Sequence, residues 1–343
     1  MKINVLKICL VSVLLALYIS GLNAQMKKVA QSGMTYLSIS LGARESAMGN
    51  ASVASVRGVQ GLFYNPAVLA SIEGFAVTAN QVNWLADTKL YGLGAAARLG
   101  RYGTIGFDLV YMDYGEIIGT RRVDRSIDER GFIITGNINV EEYAIGFAYA
   151  YPVNDKFSFG AKVKFVHEDL GNAPIAASVI DQEAQIYKYE DRNWSMDDWG
   201  FDVGAHYKVG YKDLIFAVAL QNYSGDMTYW TEAFQMPLVI RMGVVMDISE
   251  FFIPQNDNFN INTTLDALNP NDYTGRIHIG SEIEYLKIFS LRGGYQFNHD
   301  VESFSLGFGV KFDYQGYTGS LDYAYTNAEF FKDVNRFSLS FSF

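Results

Sequence analysis

Phe304-Ser305-Leu306-Gly307-Phe308-Gly309-Val310-Lys311-Phe312 places an apolar residue at every even position and a small or polar one at every odd position. Successive side chains of a strand point to opposite faces, so this pattern reads as a strand with one apolar face and one small or polar face. It recurs in Tyr143, Ile145, Phe147, Tyr149 and Tyr151, separated by Ala144, Gly146, Ala148 and Ala150. The chain also ends on it: Phe337, Leu339, Phe341 and Phe343 alternate with Ser338, Ser340 and Ser342.

Working outward from these stretches, turn signals divide the chain into strands near 73–84, 89–99, 103–113, 140–151, 156–169, 198–209, 213–222, 237–247, 258–268, 276–285, 288–297, 302–313, 317–327 and 334–343. That makes about fourteen strands of roughly ten residues, the length of a tilted strand crossing a bilayer. Short connections at Gly100-Arg101-Tyr102, Pro152 to Asp155, Gly210 to Lys212, Leu286-Lys287 and Tyr314 to Gly316 alternate with long ones at 114–139, 170–197, 223–236 and 269–275. Outer-membrane barrels alternate in this way, with short periplasmic turns and longer outer loops. The link 248–257 departs from it, being long on the turn side. A secreted β-sandwich alternates too. Membrane-length segments, an export signal and an aromatic C-terminus favour the all-β alternative, a transmembrane antiparallel β-barrel.

Composition agrees. Aromatics reach 15% and charged residues only 19%, the reverse of a disordered chain. With 27 Lys+Arg against 37 Asp+Glu, the net charge of -10 excludes a phosphate-neutralising nucleic-acid binder. Lys2 and Lys7, the apolar run Ile8 to Ile19 and Gly21-Leu22-Asn23-Ala24 before Gln25 read as a signal peptide over 1–24. Cys9, the only cysteine, lies within that signal, so no disulfide, thiol nucleophile or cysteine metal site is expected after cleavage. No later apolar run is long enough for a membrane helix, so a membrane location requires a closed barrel. The polar phase of the strands carries Asp108, Lys162, Lys164, Asp202, His206, Lys208, Arg241, Glu282, Glu284, Arg292, Lys311 and Asp322. These mix both signs, which fits a filled interior better than an ion-selective pore.

Residues 25–72 precede the barrel (73–343) and do not alternate. Asn65 suits a helix N-cap and Pro66 the first helical position, so a short helix is expected to about Ala70. A segment of this length could fold into the lumen as a plug. Gly42-Ala43-Arg44 and Ala47-Met48-Gly49, paired with Tyr64-Asn65-Pro66-Ala67, resemble the N-terminus of the PorV/PorQ family of Bacteroidota outer-membrane proteins. Where that family often has two acidic residues, this chain has Arg57-Gly58. The resemblance implies a fourteen-stranded barrel related in fold to the FadL long-chain fatty-acid transporters. It further implies a role in type IX secretion. The partners implied are translocon or attachment-complex proteins and their secreted substrates, with outer-membrane lipid around the barrel.

Candidate sites follow. His167, His206, His278 and His299 show no zinc-ligand spacing, and no serine sits in a nucleophile motif, so no catalytic residue, metal or cofactor is expected. The run Asn269-Pro270-Asn271-Asp272 is too short for a calcium loop. Trp194, Met196, Tyr229 and Trp230 fall in long outer links and read as a partner-binding patch or an aromatic girdle; Trp199 reads as girdle. The mixed charges from Arg121 to Arg130 read as a solvated loop. Phe341 and Phe343 read as the assembly signal of the last strand. The functional expectation is a non-enzymatic barrel in a diderm outer membrane that docks proteins of the type IX pathway. The alternative is a FadL-like channel for hydrophobic small molecules.

Overall fold

The computed structural model describes residues 31–181, 186–252, 258–329, 331 and 333–343. The signal read at 1–24, and Gln25 to Ala30 of the plug segment, lie outside the described residues. The wall is built of fourteen strands: β1 (Phe75–Asn83), β2 (Lys89–Arg98), β3 (Thr104–Asp113), β4 (Glu141–Pro152), β5 (Phe157–Asp181), β6 (Ile186–Lys208), β7 (Ile215–Tyr223), β8 (Val239–Asp247), β9 (Phe259–Pro270), β10 (Arg276–Tyr285), β11 (Phe289–Phe297), β12 (Glu302–Tyr314), β13 (Tyr317–Ala328) and β14 (Val334–Ser342). Each pairs antiparallel with its chain neighbours, and β1 pairs with β14 to close the barrel. Closure leaves no unpaired edge, which is what lets a sheet sit in hydrocarbon.

The period-2 pattern sorts the faces as expected. On β12, Phe304, Leu306, Phe308 and Phe312 stand exposed on the outside, while Ser305 and Gly309 are buried inside. The seam closes at the last residue: Phe343 N donates to Phe75 O at 2.8 Å, and its ring stacks on Phe75 at 5.6 Å. The expected assembly-signal residues thus lie at the seam, with Phe341 packed edge-on to Phe312.

Two links depart from expectation. The segment 170–197 is not a loop, because β5 and β6 run on through it and pair as far as Asp181 opposite Ile186. Above a bilayer a two-stranded ribbon needs no apolar face, so the hydrophobic period fades while backbone pairing continues. Trp194 and Met196 are therefore strand residues of β6. The link 114–139 holds a hairpin of its own, Ile117–Arg122 with Phe132–Ile138, and its mixed charges are largely solvent-exposed. The long link on the turn side contains one helical turn, Ser249–Phe252.

Short turns, the start of β1 and the C-terminus share one end of the barrel. That end faces the periplasm, and the long links face outward.

Candidate functional site

The N-terminal segment threads the lumen from the outer mouth to the periplasmic end. It starts beside the outer link 224–238, where Ser32 bridges Gln235 and Gly33 N donates to Gln235 O at 3.1 Å. It then descends through a helical turn, Ala43–Ala47, and ends in a 3-10 turn, Pro66–Ser71. As the sequence suggested, Asn65 caps that turn, its Oδ1 accepting from Ala67 N at 3.1 Å.

The two halves of the plug motif meet. Tyr64 Oη accepts from Gly42 N at 2.7 Å and shares a hydrogen bond with Ser40 Oγ at 2.6 Å. Ala43 N donates to Ser338 Oγ on β14 at 2.8 Å. Gly49 has φ 64, a left-handed conformation that favours glycine. Its nitrogen and the Met48 carbonyl lie so close to the wall that a Cβ on Gly280 or Gly294 would overlap them. Asn65, Pro66 and Ala67 press likewise on Gly204 and Gly160. At Gly160, Gly280 and Gly294 plug and wall therefore meet backbone to backbone.

A belt of ion pairs surrounds these contacts. Arg44 grips Glu282 of β10 with Nε and Nη2 at 3.0 and 2.9 Å, and donates to Ser55 O at 2.8 Å. Arg292 holds the same carboxylate at 2.7 Å and Asp322 at 2.7 Å. Arg57, standing where an acidic pair is common in the resembled family, reaches Glu282 at 3.3 Å and Glu284 at 3.5 Å. Arg336, fully buried, joins Glu302 at 2.7 Å to the plug carbonyl of Ser40 at 3.0 Å. Lys162 does the same for Asp108 at 2.7 Å and Leu62 O at 2.9 Å. Beside Arg44, burial pushes the Glu45 carboxyl above its ordinary range, and its Oε2 has no hydrogen-bond partner.

The lumen is layered. Outside the ion-pair belt lies an apolar layer in which Met34, Tyr36 and Leu41 of the plug pack with Leu90, Val110, Met112, Val166 and Met236. Within that half is a cavity of about 120 Å³, lined by Leu41, Phe63 and Val110 together with polar wall residues. The periplasmic side opens into a vestibule of about 1080 Å³ lined by Arg57, Lys156, His206 and Lys208. The filling is thus charged around the plug and mixed in the outer half, where the apolar layer adjoins a cavity whose lining also carries Asp108, Lys164, Asp202, Arg241 and Arg276.

The outer rim brings three of the four expected patch residues together. Trp194 lies 6.1 Å from Tyr229 and 6.4 Å from Trp230, and Arg192 stacks over Trp230 at 4.7 Å. Trp230 remains 53% exposed, leaving an open aromatic surface. Met196 is separate, since it packs against the luminal apolar layer. Trp199 points out to the lipid side, edge-on to Phe165. The sequence reading passed over Arg336, Glu302, Arg276 and the wall glycines Gly160, Gly204, Gly280 and Gly294. Their shared signal is position: all occupy the inward phase of their strands.

No protein-family model matches the chain, and no curated protein matches it in sequence. Solved structures do resemble it. The Pseudomonas putida toluene transporter TodX aligns with TM-score 0.56 at 15% identity, covering 88% of this chain and 96% of that one. A Pseudomonas aeruginosa FadL homologue aligns with TM-score 0.52 at 12% identity, covering 88% and 98%. The monoaromatic hydrocarbon channel CymD aligns with TM-score 0.54 at 14% identity, covering 91% and 99%. The chain is a FadL-like, fourteen-stranded barrel of a bacterial outer membrane.

Proposed function

We propose that this barrel passes small hydrophobic molecules across the outer membrane, with the N-terminal segment as a plug that must shift to let them through. One observation carries the reading: the outer part of the plug, Met34 to Leu41, packs with the wall in an apolar layer and lines a cavity beside it. Concave sites that join apolar side chains to placed polar groups bind small molecules, and this cavity joins Leu41, Phe63, Val110 and Leu268 to charged wall residues. The fold likeness to a toluene transporter and to a monoaromatic hydrocarbon channel supports the same class of cargo. The test ties the plug down. Ala43 and Ser338 touch across the interface, so Ala43→Cys with Ser338→Cys can be oxidised to a disulfide. Uptake of labelled toluene into proteoliposomes should fall on oxidation and return on reduction. Uptake unchanged by the cross-link, or no faster than in protein-free vesicles, overturns the reading.

A second reading is docking of type IX pathway proteins, which the motif resemblance implies. The Trp194, Tyr229 and Trp230 cluster with its stacked Arg192 supports it, because Trp, Tyr and Arg dominate interface energetics. Docking requires no plug movement. Trp194→Ala with Trp230→Ala should then abolish co-purification of translocon or surface proteins while leaving toluene uptake untouched.

A further inference from the structure

One rung of the wall carries two arginines without a hydrogen-bonded counter-charge. Arg241 on β8 stands opposite Leu268 on β9, and Leu268 stands opposite Arg276 on β10. All three line the cavity above the plug. Two strand spacings separate the arginines, about 10 Å between their backbones. Among the described residues Arg241 makes no hydrogen bond or ion pair, and its Nε and Nη1 are buried without a partner. Arg276 comes no nearer to an acid than 3.9 Å, from Asp300, and its Nε is also unpartnered.

The other charges around this cavity are hydrogen-bonded at least in part. Lys162 holds Asp108 at 2.7 Å and Lys164 holds Asp202 at 2.8 Å. Asp272 accepts from Ser32 Oγ. Asp266, one rung below, accepts the Ser52 and Val53 amides on Oδ2 at 2.7 and 2.8 Å, while its Oδ1 makes no hydrogen bond. Buried cations left without hydrogen-bonded counter-ions are costly, so an anion entering here is favoured.

We propose that this cavity binds a small organic carboxylate, its oxygens held between Arg241 and Arg276. A guanidinium fork matches the planar carboxylate geometry. Leu41, Phe63, Val110 and Leu268 supply the apolar body of the site. At about 120 Å³ the space suits a single ring. The site rests on the channel reading, for which it narrows the cargo to ring-sized acids.

The test uses the purified full chain in detergent, with 4-fluorobenzoate as probe and neutral 4-fluorotoluene as its shape match. Calorimetry and fluorine NMR should give one fluorobenzoate per barrel, bound at least tenfold tighter than fluorotoluene. Arg241→Gln and Arg276→Gln should each weaken fluorobenzoate tenfold or more and leave fluorotoluene unchanged, with heat-modifiability confirming the fold. Arg241→Lys, which keeps the charge without the fork, should fall between. Equal affinity for the two probes in the wild type, or full retention in the Gln variants, overturns the carboxylate site. Binding of neither probe also overturns it, while the cross-link uptake experiment judges the channel reading separately.

Discussion

Glu282→Gln removes one charge from the carboxylate that anchors the plug and changes the shape of the side chain little. Glu282 is held by Arg44 of the plug at 2.9 Å and by Arg292 of the wall at 2.7 Å. Arg57 adds a contact at 3.3 Å, but its side chain is 47% exposed and the contact contributes little. After the change Arg292 keeps Asp322 at 2.7 Å. Arg44 keeps only Glu45 at 3.3 Å and the Ser55 carbonyl at 2.8 Å. The loss therefore falls on the joint between plug and wall. Breaking a buried pair from one side costs roughly 3–5 kcal/mol. At about 1.4 kcal/mol per decade, the plug-released population rises by roughly two to three and a half orders of magnitude. Arg44→Met leaves Glu282 still paired with Arg292 and should release the plug less. Ser46 is fully buried on the plug, so Ser46→Cys reports release through its rate of maleimide labelling. Equal labelling in the presence and absence of Glu282→Gln refutes the reasoning, as does faster labelling in Arg44→Met than in Glu282→Gln.

Glu45 sets a pH dependence. Its pKa is raised above the ordinary 4.5 by burial, so its contribution to plug seating is fully present below about 4.5 and is lost as pH rises through the raised value. Hydrogen exchange at Ala43 to Ala47 should speed up across that rise beyond the intrinsic increase, and Glu45→Gln should remove the excess. Gly294→Val places a side chain where Met48 and Gly49 lie; labelling at Ser46→Cys should become fast while the barrel remains heat-modifiable. Deleting Phe343 removes the last two seam hydrogen bonds and its stack on Phe75. The amount of folded protein in the outer membrane should drop, as read by heat-modifiability on gels.

The barrel was legible in the sequence because a bilayer imposes one rule on every strand. Phe304, Leu306 and Phe308 must meet lipid, Ser305 and Gly309 must not, and a period of two is visible without knowing what pairs with what. The cap at Asn65 was legible for the same local reason, since capping needs only the next few residues. The β5–β6 ribbon was not, because backbone pairing outside the membrane leaves no hydrophobic signature. Nor was the site. Glu282 lies 238 residues from Arg44, and Arg241 meets Arg276 only through Leu268 on the strand between them. Strand alternation shows that such residues face the lumen; register and closure decide which plug residue, which charge and which empty space each of them meets there.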